Sequence, residues 1–136
     1  YMVKKLLFIP VLVFLFLTPT QAQDISGSWS WNSTEGNNMF TVELIQASEN
    51  NYRGNHCSVY LHGERIDCND TRDDFTIILI RKAENVFQGS IRSGYSYAVG
   101  NVQLQYLPNE DTMLFSLKSA PKGEYYMPLE ARMQRN

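Results

Sequence analysis

Asn101-Val102-Gln103-Leu104-Gln105-Tyr106-Leu107, then Pro108-Asn109-Glu110-Asp111, then Thr112-Met113-Leu114-Phe115-Ser116-Leu117-Lys118 is the stretch whose reading decides the fold. Val102, Leu104 and Tyr106 alternate with Asn101, Gln103 and Gln105. Period-two alternation sends one set of side chains to each face of an extended strand. Pro108 to Asp111 has the composition of a turn. Thr112–Lys118 then returns as a second strand, so the stretch reads as an antiparallel hairpin.

The same pattern extends in both directions. Upstream, strands are expected over Ser26–Asn32, Met39–Gln46 and Tyr52–Leu61, then from the His62-Gly63 turn through Cys68. Phe75–Arg81, Val86–Arg92 and Tyr95–Leu107 follow, and Tyr126–Met133 lies downstream of the hairpin. In Phe75–Arg81 one face holds Phe75, Ile77 and Leu79 and the other holds Ile78 and Ile80, which predicts a strand covered on both sides. No stretch beyond residue 22 has a helical period. About eight to nine short strands joined by short turns predict an all-β, antiparallel up-and-down barrel or meander, with a β-sandwich as the alternative. Closure removes exposed sheet edges, which favours the barrel.

The N-terminal segment is of another kind. Lys4 and Lys5 precede an apolar run from Leu6 to Leu17, and Thr20-Gln21-Ala22 follows. A charged, then apolar, then small-x-small pattern predicts a signal peptide over residues 1–22, starting at Met2 and cleaved before Gln23. The apolar run is shorter than the roughly 20 residues that span a bilayer. A single domain over 23–136, secreted or periplasmic and without stable membrane insertion, is therefore expected. Loss of two lysines and no acid would move the net charge from −2 to −4. A mildly acidic domain without a basic stripe argues against a nucleic-acid partner. The oligomeric state is not legible.

The chain carries no G-x-S-x-G, and its two cysteines are better used as a disulfide than as nucleophiles, so no catalytic residue, enzyme activity or cofactor is expected. His56, on the outward parity, and His62, in a turn, do not share a face, and no metal site is expected. Asp67, Asn69, Asp70, Asp73 and Asp74 read as a solvated loop. Trp29, Trp31, Tyr95, Tyr97 and Tyr106 are the candidate ligand-contacting residues, because such rings combine apolar area with a polar tip. Core and strand packing is the competing role for each.

Gly27-Ser28-Trp29 resembles the G-x-W opening of lipocalins and other calycins. Tyr52-Arg53-Gly54, Phe87-Gln88-Gly89 and the closing Tyr126-Met127-Pro128-Leu129-Glu130-Ala131 are similar to motifs of small lipocalin-like proteins exported by Bacteroidota. The resemblance implies a barrel, a non-enzymatic role and a small apolar or amphipathic ligand. In lipocalins a late arginine stacks on the opening tryptophan; Arg132 and Arg135 are the candidates, and Arg132 has outward parity. The chain departs from true lipocalins in having no Thr-Asp-Tyr motif and no helix after the last strand. The alternative is a secreted or envelope interaction protein with a packed interior and a binding surface. An interior cavity of roughly 300 Å³ or more would separate the two.

The expected core is Trp29, Phe40, Val42, Leu44, Val59, Ile66, Ile77, Leu79, Phe87, Ile91, Val102, Leu104, Phe115, Leu117 and Leu129. Phe75 is read as a further large inward residue. Centring a two- or four-residue turn on His62-Gly63 pairs Tyr60 with Arg65, Val59 with Ile66, Ser58 with Asp67 and Cys57 with Cys68. Directly opposed residues lie within disulfide reach, and export supplies the oxidant, so a Cys57–Cys68 bond is expected. Alternation places both cysteines on the apolar side with Val59 and Ile66, and Ser58 and Asp67 on the other.

Overall fold

The computed structural model describes residues 13, 15, 23–69 and 74–136. The expected signal segment lies outside the described residues apart from Val13 and Leu15, as do residues 70–73 of the acidic loop. Nine strands follow: β1 (Gly27–Asn32), β2 (Met39–Ser48), β3 (Asn51–Tyr60), β4 (Arg65–Cys68), β5 (Ile77–Ala83), β6 (Val86–Arg92), β7 (Val99–Leu107), β8 (Thr112–Ser119) and β9 (Glu130–Arg135). All pairings are antiparallel. Apart from β4, each strand pairs with its neighbours in sequence, and β1 meets β9 through Trp29↔Arg135 and Ser30↔Gln134. The result is a closed eight-stranded barrel, consistent with a calycin-like fold. The short β4 is a ninth strand, sharing one edge of β3 with β5.

Inward side chains fill the barrel. Trp29, Phe40, Tyr52, Phe87, Phe115, Ile77, Leu79, Ile91, Leu104, Met113 and Met133 are each less than 2% exposed. The two aromatic-x-glycine motifs have a physical role here. Tyr52 and Phe87 point inward and meet edge to face at 5.2 Å. Two residues on, at Gly54 and Gly89, a Cβ would lie 1.7 Å from the carbonyl oxygens of Glu43 and Ile78 respectively. Only glycine permits so close a backbone approach.

Several expectations need correction. Ile66 and Leu129 are exposed, at 56% and 62%, and Val59 and Leu117 are half-buried. Leu129 lies outside because the last strand begins at Glu130, after Pro128, which has no N–H for a ladder. Ile78 and Ile80 are uncovered, at 55% and 46%. Phe75 precedes its strand and lies under the Arg53 guanidinium, 5.3 Å from its ring centre. β7 starts at Val99, not Tyr95, because residues 93–98 turn around Ser93, whose Oγ accepts the amides of Tyr95 and Ser96. The Cys57–Cys68 disulfide is present, in the expected register, across a turn over Leu61–Gly63. Its face is the reverse of the expected one: His56, Ser58 and Asp67 point inward and are buried, and the cysteines point outward.

Candidate functional site

The register puts the five candidate ligand residues in two places. Trp29 and Tyr106 sit toward the end where β1 begins and β7 finishes. Their rings meet edge to face at 5.9 Å, and the Arg135 guanidinium covers Trp29 at 4.3 Å. Trp29 Nε1 donates to the Ile25 carbonyl, and Arg135 donates to the Ser26 carbonyl at 2.7 Å. Tyr106 donates to Asp111 at 2.7 Å, and Arg135 pairs with the same carboxylate. The Tyr106 hydrogen bond, with help from Arg135, lowers the Asp111 pKa; that same bond and burial raise the Tyr106 pKa. Of the two candidate arginines it is Arg135 that stacks on Trp29, while Arg132 pairs with Glu110 outside.

Trp31, Tyr95 and Tyr97 lie toward the opposite end. Trp31 is half-buried against the core. Tyr95 is 44% exposed and packs edge to face on Tyr126 at 5.1 Å, and Tyr60 also meets Tyr126, at 6.4 Å. Burial pushes the Tyr60 phenol up to about 12. Tyr97, 58% exposed, occupies the left-handed region at φ 64° in the β6–β7 turn.

Beneath these rings lies a buried polar cluster. Asp67, on β4, accepts from His56 Nε2 at 2.9 Å, the Gly94 amide at 2.7 Å, Ser93 Oγ at 2.7 Å and the Tyr126 amide at 3.0 Å. Thr76 Oγ1 accepts the His56 amide at 3.0 Å, leaving its hydroxyl hydrogen for His56 Nδ1 at 2.8 Å. Burial raises the Asp67 pKa, but the bonds from His56, Tyr126 and Ser93 outweigh it, and the carboxyl is held below its usual range. Three other segments converge on this one β4 carboxylate: β3, the 93–98 turn and the 120–129 segment. Together the bonds tie these segments to one another at the barrel end that carries the longer loops.

No protein-family model, curated protein or solved structure matches this chain.

A shallow groove of about 570 Å³ crosses the outside of β5 to β8, lined by Ile78, Ile80, Lys82, Gln88, Ser90, Asn101 and Lys118. A second, of about 400 Å³, runs beside the disulfide between Thr41, Glu43, Asn55, Cys57, Cys68 and Asn69. A third, of about 340 Å³, lies between Trp31, Leu114, Ser116, Glu130 and Arg132. Among the described residues no group of three or more His, Cys, Asp or Glu side chains could hold a metal ion. Sequence reasoning missed the His56–Asp67 pair because a polar residue on alternating parity reads as outward. The signal that could have found it is the Cys57–Cys68 register, which puts Asp67 opposite Ser58, on the His56 face.

Proposed function

We propose that the chain is exported by its N-terminal segment and works as a non-enzymatic, lipocalin-like barrel that binds its partner on the outside. The Asp67 cluster carries this reading. A ligand cup needs a mouth that can open, and here segments of the loop-bearing end are held together by one buried carboxylate with four hydrogen bonds. The packed interior supports it further, since an eight-stranded barrel is just wide enough to be filled by side chains. The disulfide fits an oxidising compartment. The likeness to exported Bacteroidota lipocalin-like proteins supports the same placement. A ligand held inside is the second reading. It draws on the Trp29–Arg135 stack and would require the Asp67 cluster to open.

Native mass spectrometry of the exported protein separates the two. The expected spectrum shows the polypeptide alone, with a mass beginning at or near Gln23. A stoichiometric small molecule, released only on denaturation, would overturn the packed-barrel reading.

A further inference from the structure

The outer face of β5 to β8 combines three features that the packed interior does not use. First, it is free of carboxylates: none of Ile77–Ala83, Val86–Arg92, Val99–Leu107 and Thr112–Ser119 contains Asp or Glu. This is uneven in a chain with 14 acids and a net charge of −2. Secondly, of the four cations on these strands, Arg92 pairs with Asp74, and Arg81 lies over Phe87 and donates to the Gln23 carbonyl. Lys82 and Lys118 have no acceptor among the described residues. Thirdly, Ile78 and Ile80 are half exposed side by side on β5, within the groove that both lysines line.

Register gives the groove its layout. Ile78, Ser90 and Asn101 form one row across β5, β6 and β7, and Ile80, Gln88 and Gln103 form the next. Gln88 and Gln103 are bonded to each other at 3.0 Å. Three inter-strand steps of about 4.8 Å make the groove about 14 Å across, from the isoleucines to Lys118. A shallow groove with an apolar rail and flanking lysines suits a discrete chain. Its volume of about 570 Å³ is of the size of small-molecule sites.

We infer that this groove binds a small anionic amphiphile, its apolar chain along Ile78 and Ile80 and its anionic head at a lysine. The inference rests on the packed-barrel reading and gives that reading a site. The test uses dodecanoate as probe and dodecanol as its uncharged counterpart, with the exported protein and two exposed-site variants, Lys82→Glu/Lys118→Glu and Ile78→Ser. Near-ultraviolet circular dichroism checks that each is folded. Dodecanoate is expected to bind with amide shifts at Ile78, Gln88 and Asn101, and to weaken about tenfold in each variant. Dodecanol is expected to bind about tenfold more weakly than dodecanoate, and added salt to weaken dodecanoate alone.

Binding that is unchanged in both variants, with shifts at Trp29, Phe40 and Tyr52, would overturn the groove and the packed interior together. An absence of binding by folded protein would overturn the groove alone. So would a glutamate-rich peptide that binds through the two lysines while dodecanoate does not.

Discussion

Ser58 and Asp67 face one another across β3 and β4, and both are fully buried, yet they stand in opposite energetic positions. Ser58 Oγ has no hydrogen-bond partner, whereas Asp67 has four. A buried hydroxyl without a partner costs its desolvation and returns nothing. Ser58→Ala is therefore expected to leave stability unchanged or raise it by up to about 1 kcal/mol. Asp67→Ala strands the His56 Nε2–H and two backbone amides, and is expected to cost about 3–5 kcal/mol. Urea unfolding of both variants checks the contrast; equal losses would show that Asp67 is not the hub of this end. The large apolar members of the interior were legible from alternation, as Trp29, Phe40 and Phe87 show. His56, Ser58 and Asp67 were not. The inward parity of a strand is assigned from its apolar members, and here the apolar set, Cys57, Val59 and Ile66, lies outside. Polar side chains buried among one another leave no hydrophobic trace in a single sequence.

At the level of elements, β4 is the weak member. It has four residues and pairs only with β3, yet it carries the carboxylate that pins the 93–98 turn and Tyr126. The outward-facing disulfide holds it there and borders an open groove where a reductant can reach it. Reduction is expected to cost about 2–3 kcal/mol by the chain-entropy model. The loss should be local first: amide exchange at Gly94 and Tyr126 should quicken while that at Phe87 and Leu104 stays slow. Unchanged protection at Gly94 and Tyr126 would mean that β4 stays seated without its bond. The other joint is β1–β9, which has only two residue pairs. There Arg135 adds a stack on Trp29 and a bond to the Ser26 carbonyl. Arg135→Ala is expected to cost about 2 kcal/mol and to change Trp29 fluorescence. The Cys57–Cys68 register was readable from the position of the turn, although alternation assigned the pair to the wrong face. The ends of β7 and β9 were not, because the Ser93 side chain and Pro128 decide them locally.

For the molecule as a whole, these buried and paired groups set the range of pH over which the barrel is stable. Asp24, Asp67, Asp74 and Asp111 all have folded pKa values below their usual range. The causes differ. Ser26 hydrogen bonds act on Asp24, Arg92 on Asp74 and Tyr106 on Asp111, while at Asp67 burial opposes a larger set of hydrogen bonds. A depressed carboxyl stabilises the fold above its unfolded pKa of about 3.9, and that stabilisation is lost as pH falls through the folded value. Tyr60 works in the opposite sense. Burial raises its phenol to about 12, so its contribution is present below the unfolded value of about 10 and is lost as pH rises through the folded one. Tm is therefore expected to be nearly flat between about pH 5 and pH 9 and to drop on both sides. Thermal unfolding followed by circular dichroism across that range checks it, with two variants assigning the limbs. Asp67→Asn keeps the size of the side chain but cannot ionise, so it should lower Tm on the plateau and shallow the acid limb. Tyr60→Phe should shallow the alkaline limb and leave the acid limb alone. A Tm that falls between pH 9 and pH 7 would show that groups other than these carry the pH dependence, and an acid limb of the same depth in Asp67→Asn would show that Asp67 has no share in it.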